Sequence, residues 1–427
     1  MKNRTYLLPP FAVPYGVGDY VKGVSALFRY SASAPDPLKE LFGDRALFWT
    51  GSGRQALWLI LQALHLPKGA GIGVPLFGSS SVAVTIHGAG FKPIFLDVSE
   101  STLTLNPAEV KRVAGRISAL VVEHLFGHVA AIDQILEAAA GIPVIEDTAQ
   151  APLTLLNGRL AGTFGAASFY SFASSKYLPA AGGGLAAINN AALAAEVAIQ
   201  TRQLTRPGTV LEFRSTLMQA VKAALFRPPL YGLFGISLRS STEEHSRFAA
   251  QMDHIAISRA SARVVLRQAP AFAARVQEQR SNSLLLLKQL AGIERVTLPH
   301  EPAGAMYNRY LFPVLVADRE ERDAVRAGMR KRGIDTTRIH FNSPDNAVAL
   351  GYRGGCQVSE RVASTLLTLP NQACLTVREV ERVARAFGAA LAEHRSSRMA
   401  KRAASVANTS SCDGLARKLA ERKAVGP

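Results

Sequence analysis

Short apolar runs alternate with longer helix-like stretches between residues 50 and 190, and this alternation is the main pattern of the chain. Apolar runs of about four to eight residues bounded by Gly, Pro or polar residues are typical of buried strands. The predicted strands are GIGVPLF, FKPIFLDV, SALVVEHLF, IPVIEDTA, ASFYSF and GGLAAIN, and the predicted helices include 54–64 and 132–140. The pattern therefore predicts an α/β domain with a mostly parallel sheet, whose ligands gather at the carboxyl ends of the strands.

The pattern changes after residue 200, and these changes suggest four regions. Helix-like stretches then surround the run RYLFPVLV, which indicates a smaller C-terminal α+β domain. After residue 394 the chain is rich in Ser, Ala, Arg and Lys, with eight basic and two acidic residues, and we expect a disordered basic tail. The predicted regions are an N-terminal segment 1–30, a large domain 31–248, a small domain 249–394 and a tail 395–427.

The composition indicates a folded protein without a disulfide framework. Hydrophobic residues make up 48% of the 427 positions and charged residues 19%. Cys356, Cys374 and Cys412 lie far apart without CxxC spacing, so neither a zinc site nor disulfides are expected. The first residues lack the long apolar core of a signal peptide, and we expect a cytoplasmic protein. The net charge of +17 has no RNA-binding motif beside it, so a nucleic-acid partner is not expected.

Residues 207–239 interrupt the α/β pattern as an atypical apolar and basic insertion. Leu217, Met218, Val221 and Leu225 follow the spacing of one helix face, and the uncharged run 228–238 is too short to span a bilayer, which needs about 20 residues. Two interpretations stay open. The segment either packs against its own domain or a dimer partner, or docks on an anionic surface, which would make the protein peripheral to the inner membrane.

An acid and a lysine fall at the predicted carboxyl edge of the sheet. Asp147 ends the run VIED, and Lys176 follows the strand SFYSF. Pyridoxal 5'-phosphate (PLP) requires this combination, because a lysine binds the cofactor covalently and a carboxylate keeps its ring nitrogen protonated. The segment TGSGR at 50–54 opens a predicted helix, whose free N-terminal amides favour a phosphate group. These residues predict a PLP site.

Several longer segments resemble one enzyme family, and the resemblance runs from about residue 45 to 395 apart from 201–248. They are TGSGRQALWLILQAL, GFKPIFLDVSESTLTLNPAEV, VVEHLFGHVAAIDQILEAAAGIPVIEDTAQA, NGRLAGTFGAASFYSFASSKYLPAAGGGLAAINN and LTLPNQACLTVREVERVARAF. This combination resembles the DegT/DnrJ/StrS sugar aminotransferases, which are PLP enzymes of fold type I. The resemblance implies a large domain with a mostly parallel sheet, a smaller C-terminal domain and a homodimer.

The resemblance also implies roles for particular residues. Lys176 would bind the cofactor and Asp147 its ring nitrogen, while Gln150 would lie near the phenolic oxygen. The remaining cofactor positions would be Gly53, Arg54 and Ser171 at the phosphate, with His124 of the EHLFG run contacting the cofactor or supporting the strand. Candidate substrate contacts are Asn308, Arg309 and Arg338.

Four positions depart from the family pattern, and one of them is Arg54, which replaces a small residue. Ser79 stands where a ring-stacking aromatic is expected, so either Phe77 stacks on the ring or nothing does. Gly182 replaces a glutamate, and Ala249 stands where a partner-chain asparagine would meet the phosphate.

The resemblance implies an aminotransferase that moves an amino group from glutamate to a keto group of a nucleotide-linked sugar. A basic protein suits such a diphosphate substrate. One alternative is a sugar dehydratase of the same fold, whose relatives replace the lysine with histidine; Lys176 argues against it. The other is a regulatory or scaffolding protein of a polysaccharide pathway, which the departures at Ser79 and Gly182 would allow.

Overall fold

The computed structural model describes residues 6–27, 37–235, 254–340 and 342–423. Its centre is a seven-stranded sheet, flanked by a small hairpin. The first nine strands are Ala46–Thr50 (β1), Gly71–Pro75 (β2), Lys92–Leu96 (β3), Ala119–Glu123 (β4), Val144–Asp147 (β5), Leu155–Leu156 (β6), Arg159–Leu160 (β7), Ala167–Ser171 (β8) and Gly184–Ile188 (β9). The central sheet has the order β1-β9-β8-β5-β4-β2-β3, in which only β9 runs against its neighbours.

Helices cover both faces of this sheet. The helices up to residue 225 are Val17–Ser25 (α1), Pro37–Phe42 (α2), Gly53–Ala63 (α3), Ser80–Gly88 (α4), Pro107–Val113 (α5), Ile132–Ala139 (α6), Ala191–Thr201 (α7) and Thr209–Leu225 (α8). Apolar residues of α3, α4 and α7 pack with Val121 and Ile145 on one face. Those of α5 and α6 pack with Leu120 and Val144 on the other. Because adjacent strand residues point to opposite faces, a strand buried on both faces is apolar throughout.

The C-terminal part forms a second core around a two-stranded sheet. Its elements are Arg259–Gln268 (α9), Phe272–Leu290 (α10), Ala305–Met306 (β10), Phe312–Leu315 (β11), Arg319–Lys331 (α11), Ser343–Val348 (α12), Gln357–Thr365 (α13), Leu366–Leu369 (β12) and Val377–Lys423 (α14). Strand β11 pairs with β12, and β10 joins the hairpin β6–β7. Short 3-10 turns cover Ala114–Arg116, Leu125–Gly127 and Ala269–Ala271, and one π turn covers Tyr231–Gly235.

The structure confirms the six predicted strands and both predicted helices, and it adds one strand to the central sheet. Strand β1 pairs with β9 at the edge of the sheet, and its ALFWT sequence was not predicted as a strand. Helix α10 begins in the core that also contains Tyr15 and Phe172 and ends in the core of the small domain. The domain limits 30, 248 and 394 stay predictions, and the boundaries at 30 and 248 lie outside the described residues.

The C-terminal tail differs from the expectation of disorder, because the backbone of α14 remains helical through Lys423. Two ion pairs hold the start of this extension against α11. Arg395 donates to both carboxylate oxygens of Glu321 at 2.9 and 3.0 Å, and Arg398 donates to Asp318 at 2.6 Å. Ala, Arg and Lys are also good helix formers, so the composition that we interpreted as disorder is compatible with a helix.

The insertion forms the 17-residue helix α8, and its apolar residues face outward. The side towards the protein is formed by Glu212, Thr216, Gln219 and Ala223, all buried. Apolar residues on the other side are 40–83% exposed, namely Val210, Leu211, Phe213, Leu217, Met218 and Val221. Within the described ranges, no helix combines the length and apolar character needed to cross a membrane. Residues 236–239 of the insertion lie outside the described residues.

Candidate active site

Asp147 and Lys176 lie in one cavity at the carboxyl edge of the sheet. Asp147 is the last residue of β5, and Lys176 lies in the turn that follows β8, the neighbouring strand. Both line a cavity of about 320 Å³, which the start of α3 closes from one side. The structure therefore brings together the two residues on which the predicted PLP site depends.

Burial and mutual charge set the protonation of this pair. Burial lowers the pKa of Lys176, while the negative charge of Asp147, and that of Glu123 when it is ionised, oppose that shift. Burial raises the pKa of Asp147, and the charge of Lys176 and a 2.8 Å hydrogen bond from the Ala149 N–H work in the opposite direction. An amine with a lowered pKa is more often neutral near pH 7, as a nucleophile and proton acceptor must be.

The N-terminus of α3 forms the anion-binding end of the cavity. Ser52 caps the helix by accepting the Gln55 N–H at 3.1 Å, while the amides of Gly53 and Arg54 have no acceptor within the helix. A Cβ atom at Gly53 would lie 3.0 Å from the Ser171 Cβ and 3.2 Å from the Tyr170 carbonyl oxygen, so a larger residue would push this turn away from the end of β8 by a few tenths of an ångström. Arg54 also lines the cavity and forms no ion pair with any residue that the structure describes.

Gln150 and His124 also line this cavity, but their side chains are partly engaged. Gln150 accepts the Phe126 N–H at Oε1, and its Nε2 lies 3.4 Å from the His340 Nε2, so one of the two Nε2 hydrogens is left to donate to a ligand. His124 contacts the Glu146 carboxylate through Nε2 at 2.9 Å and accepts the Ala130 N–H at Nδ1. Both ring nitrogens of His124 are therefore used by the protein itself, which favours the supporting role over a polar contact with the cofactor.

The structure does not bring Phe77 to the cavity. Its ring is fully buried in the core next to Phe126, at 6.2 Å between ring centroids, and it lines neither the cavity that contains Asp147 and Lys176 nor the larger cavity beside it. Ser79, which does line them, is the N-cap of α4 and donates its N–H to Glu123 at 2.8 Å. Of the two alternatives at this position, this placement favours the one in which no aromatic side chain stacks on the ring. Gly182 lies at the cavity edge with φ of 110°, and Ala249 lies outside the described residues.

Two of the three predicted substrate contacts are buried in the protein framework. Asn308 donates to the carbonyls of Gln150 and Pro152, at 3.0 and 2.7 Å. Arg309 is 2% exposed and pairs with Glu301. Neither lines a cavity at Lys176, so the structure does not support them as substrate contacts. The sequence around Asn308 and Arg309 gave no sign that both side chains turn inward.

Arg338 does reach the site, where it lines a second, larger cavity of about 940 Å³ that also opens onto Lys176. Three further residues of this cavity, Tyr310, His340 and Lys222, were not predicted from the sequence. The Lys176 Nζ lies 5.9 Å from the ring centre of Tyr310. The His340 Nε2 lies 3.4 Å from the Gln150 Nε2, and the Lys222 Nζ donates to the Ser174 Oγ at 2.6 Å. Burial and the charge of Lys176 lower the pKa of His340 to about 3, so this histidine is neutral.

These residues fit PLP. Asp147, Lys176 and the helix N-terminus at Gly53 line the same cavity. The buried acid suits the ring nitrogen of the cofactor, the lysine with its lowered pKa suits the aldehyde, and the free amides of the helix N-terminus suit the phosphate. A cavity of about 320 Å³ lies at the lower end of the size range of small-ligand sites.

This combination of fold and site is that of a PLP enzyme. The chain belongs to the DegT/DnrJ/EryC1/StrS aminotransferase family, whose match covers residues 36–388. Membership confirms the family resemblance and PLP as the cofactor. A dTDP-4-dehydro-2,3,6-trideoxy-D-glucose 4-aminotransferase of Saccharopolyspora spinosa is 28% identical over 388 residues, which are 90% of this chain and 92% of that protein.

Two further similarities differ in their coverage. A pleiotropic regulatory protein of Geobacillus stearothermophilus is 34% identical over 178 residues. The match covers 41% of this chain and 45% of that relative, so the chain spans about half the length of that protein. The PMP form of the sugar aminotransferase Spr1654 of Streptococcus pneumoniae superposes with a TM-score of 0.71 at 17% identity, over 91% of this chain and 99% of that one. This likeness confirms the predicted fold class.

Proposed function

We propose that the protein is a PLP-dependent aminotransferase that transfers an amino group from glutamate to a keto group of a nucleotide-linked sugar. One observation carries the choice of substrate. Among the residues that the structure describes, the lining of the larger cavity contains Lys176, Lys222 and Arg338 but no acidic side chain. A cavity with basic groups and no carboxylate favours an anionic ligand such as a sugar diphosphate.

The residues of the smaller cavity suit the chemistry of amino transfer. When bound, PLP supplies an aldehyde and an electron-withdrawing ring. Lys176 holds the cofactor covalently and, once released, accepts and returns a proton at Nζ, for which its lowered pKa is suitable. The Asp147 carboxylate holds a proton at the ring nitrogen. The amides of Gly53 and Arg54 bind the phosphate, and the Gln150 Nε2 donates to the phenolic oxygen.

Lys222 and Arg338 are the proposed groups for the substrate diphosphate. Lys222 is held by a single hydrogen bond to Ser174 and lies among Met218, Val221 and Phe226 at the cavity wall. Burial lowers the pKa of Lys222, and a bound anion would restore its charge. Relatives with nucleotide-sugar names, such as the trideoxyglucose 4-aminotransferase described above, support this substrate class.

The regulatory reading remains the second candidate because one relative carries a regulatory name. The cavity geometry favours catalysis, since a scaffold has no need of a lysine with a lowered pKa beside a buried acid. The dehydratase alternative is disfavoured because Lys176 occupies the position at which its relatives carry histidine.

The apolar face of α8 supports a homodimer, as the family implies. This face borders the larger cavity through Met218, Val221 and Leu225, so a second copy seated on it would also close the active site. We place the protein in the cytoplasm. Docking of this same face on an anionic membrane is the competing interpretation.

The decisive experiment follows the absorbance of the purified protein before and after glutamate. Wild type is expected to show the band of lysine-bound PLP and to lose it as glutamate is added, whereas Lys176→Ala shows no such band and loses at least about 10²-fold in turnover. Lys222→Met is the matched control, with the band intact. It should raise the KM for a keto sugar nucleotide by about tenfold or more while leaving the reaction with glutamate unchanged.

A wild-type protein that binds PLP but does not respond to glutamate would favour the regulatory reading. Equal rates with a free keto acid and a keto sugar nucleotide would contradict the proposed substrate class.

A further inference from the structure

The cofactor cavity contains a second buried carboxyl group that the proposed mechanism does not use. Glu123 is the last residue of β4 and lies directly opposite Asp147, the last residue of β5, in the parallel register of the two strands. The two side chains are 2% and 8% exposed, and both line the cavity that holds Lys176. Residues paired in this way on adjacent strands project to the same face of a sheet.

The surroundings of Glu123 are built to accommodate its carboxyl group. Oε2 accepts the Ser79 N–H at 2.8 Å. A Cβ atom at Gly78 would collide with Oε1, so the glycine makes room for this oxygen. Oε1 itself is buried and has no hydrogen-bond partner among the described residues. Glu123 thus lies beside Ser79, the position at which the ring-stacking aromatic is missing.

This geometry favours the neutral form of Glu123. A buried carboxylate oxygen without a donor is costly, and two neighbouring carboxylates do not readily ionise together. Burial and then the charge of Asp147 raise the pKa of Glu123 well above that of an ordinary glutamate, and the hydrogen bond from the Ser79 N–H and the charge of Lys176 only partly oppose this. The other charged or titratable groups near the cavity are Arg54, which lines it, His124, which bonds to Glu146, and the neutral His340 of the adjoining larger cavity.

We propose that Glu123 and Asp147 share a single proton in the free protein, and that Glu123 is thereby a positioning residue for the cofactor. By retaining the proton, Glu123 leaves Asp147 as the ionised member of the pair, the form that can hold a protonated ring nitrogen. The two groups titrate as a pair, so each sets the charge of the other. This inference concerns the cofactor site alone and is independent of which acceptor the enzyme uses.

The first test is a titration of the cofactor-free, full-length protein with ¹³C-labelled glutamate side chains. Glu123→Gln identifies the Glu123 signal, which should titrate at least about two pH units above the ordinary value of about 4.3. Asp147→Asn should lower that midpoint by about one unit or more, because it removes the neighbouring charge. Glu100→Gln changes an exposed ion pair with Arg361 and is the control that should leave the titration midpoint of Glu123 unchanged.

The second test measures PLP affinity of the same proteins by calorimetry at pH 7. Glu123→Gln should stay within about threefold of wild type because an amide mimics the neutral acid, whereas Glu123→Ala should bind about tenfold more weakly, since it leaves the Ser79 N–H without its acceptor. The proposal is overturned by a Glu123 midpoint in the ordinary range or one that Asp147→Asn does not move. It is equally overturned if the Gln variant binds as weakly as Ala or the Ala variant as tightly as wild type.

Discussion

At the scale of single residues, the buried Glu146 links the active-site strand to the loop before β8. Its carboxylate accepts the backbone N–H groups of Gly162, Phe164 and Gly165 at 2.7–2.8 Å and also contacts the His124 ring. Burial alone would raise the pKa of Glu146, but these contacts bring it below the ordinary value. Glu146 precedes Asp147 in the chain, so its hydrogen bonds also fix the end of β5.

We therefore expect Glu146→Gln to lower the free energy of unfolding by about 1–3 kcal/mol at pH 7, because an amide offers one acceptor oxygen where the carboxylate offers two. A depressed pKa stabilises the folded state above the unfolded pKa of about 4.3, and this stabilisation is lost as the pH falls through the folded value. Urea unfolding at pH 7 and below pH 4 should show the difference shrinking in acid. Glu137→Gln, at an exposed position of α6, should change stability by less than about 0.5 kcal/mol, and an equal loss in both variants would contradict this role.

The position of a candidate site residue could be predicted from the sequence where the residue follows a buried strand. It could not be predicted where the direction of the side chain depends on the conformation of a turn or on an ion-pair partner. Asp147 and Lys176 follow apolar strands, so their meeting at one edge could be predicted. The same reasoning could have found Glu123, because VVE and VIED end side by side, but it requires the register of β4 against β5. Arg309 could not be placed, since its inward direction depends on a turn with φ of 53° and on a partner, Glu301, eight residues away.

At the scale of elements, apolar runs identified strands but not their direction. Strand β9 has the same uniformly apolar composition as the parallel strands although it runs antiparallel to β1 and β8, because burial on both faces sets composition regardless of direction. The extension of α14 was missed for a different reason. Its anchoring acids, Asp318 and Glu321, lie on another helix far away in the sequence.

This anchoring of α14 is open to measurement. Arg395→Ala removes both hydrogen bonds to Glu321, whose side chain is only 3% exposed, and should cost about 1–3 kcal/mol of unfolding free energy because it leaves a buried carboxylate unpaired. Arg385→Ala on the same helix breaks an exposed pair with Glu381 and should cost about 0.5 kcal/mol or less. Thermal or urea unfolding compares the two, and equal effects would show that the Arg395 pair does not anchor the helix.

At the scale of the whole molecule, α8 has an unusual orientation for a surface helix. Amphipathic helices of globular proteins normally bury their apolar side, whereas α8 buries Glu212, Thr216 and Gln219 and exposes apolar residues. Glu212 is held by Arg259 at 3.4 Å, which fixes this orientation. The insertion does pack against its own domain, through Ala223, Phe226 and Tyr231, but its apolar face stays exposed. A second copy of the chain and a membrane surface are the interpretations from the sequence that concern this face.

We expect a second copy of the chain to cover the apolar face of α8. The double change Phe213→Glu and Leu217→Glu places two charges on the apolar face without altering a residue that lines the cavity of Lys176. It should raise the dissociation constant of the dimer by about tenfold or more. Sedimentation equilibrium measures the mass, and Val377→Glu, an apolar residue 60% exposed at the start of α14, is the matched control that should leave the dimer intact. Sedimentation with anionic liposomes at low and high salt is run in parallel. A monomeric wild type that binds these liposomes, and loses that binding in the double variant, would contradict the dimer and favour the membrane interpretation.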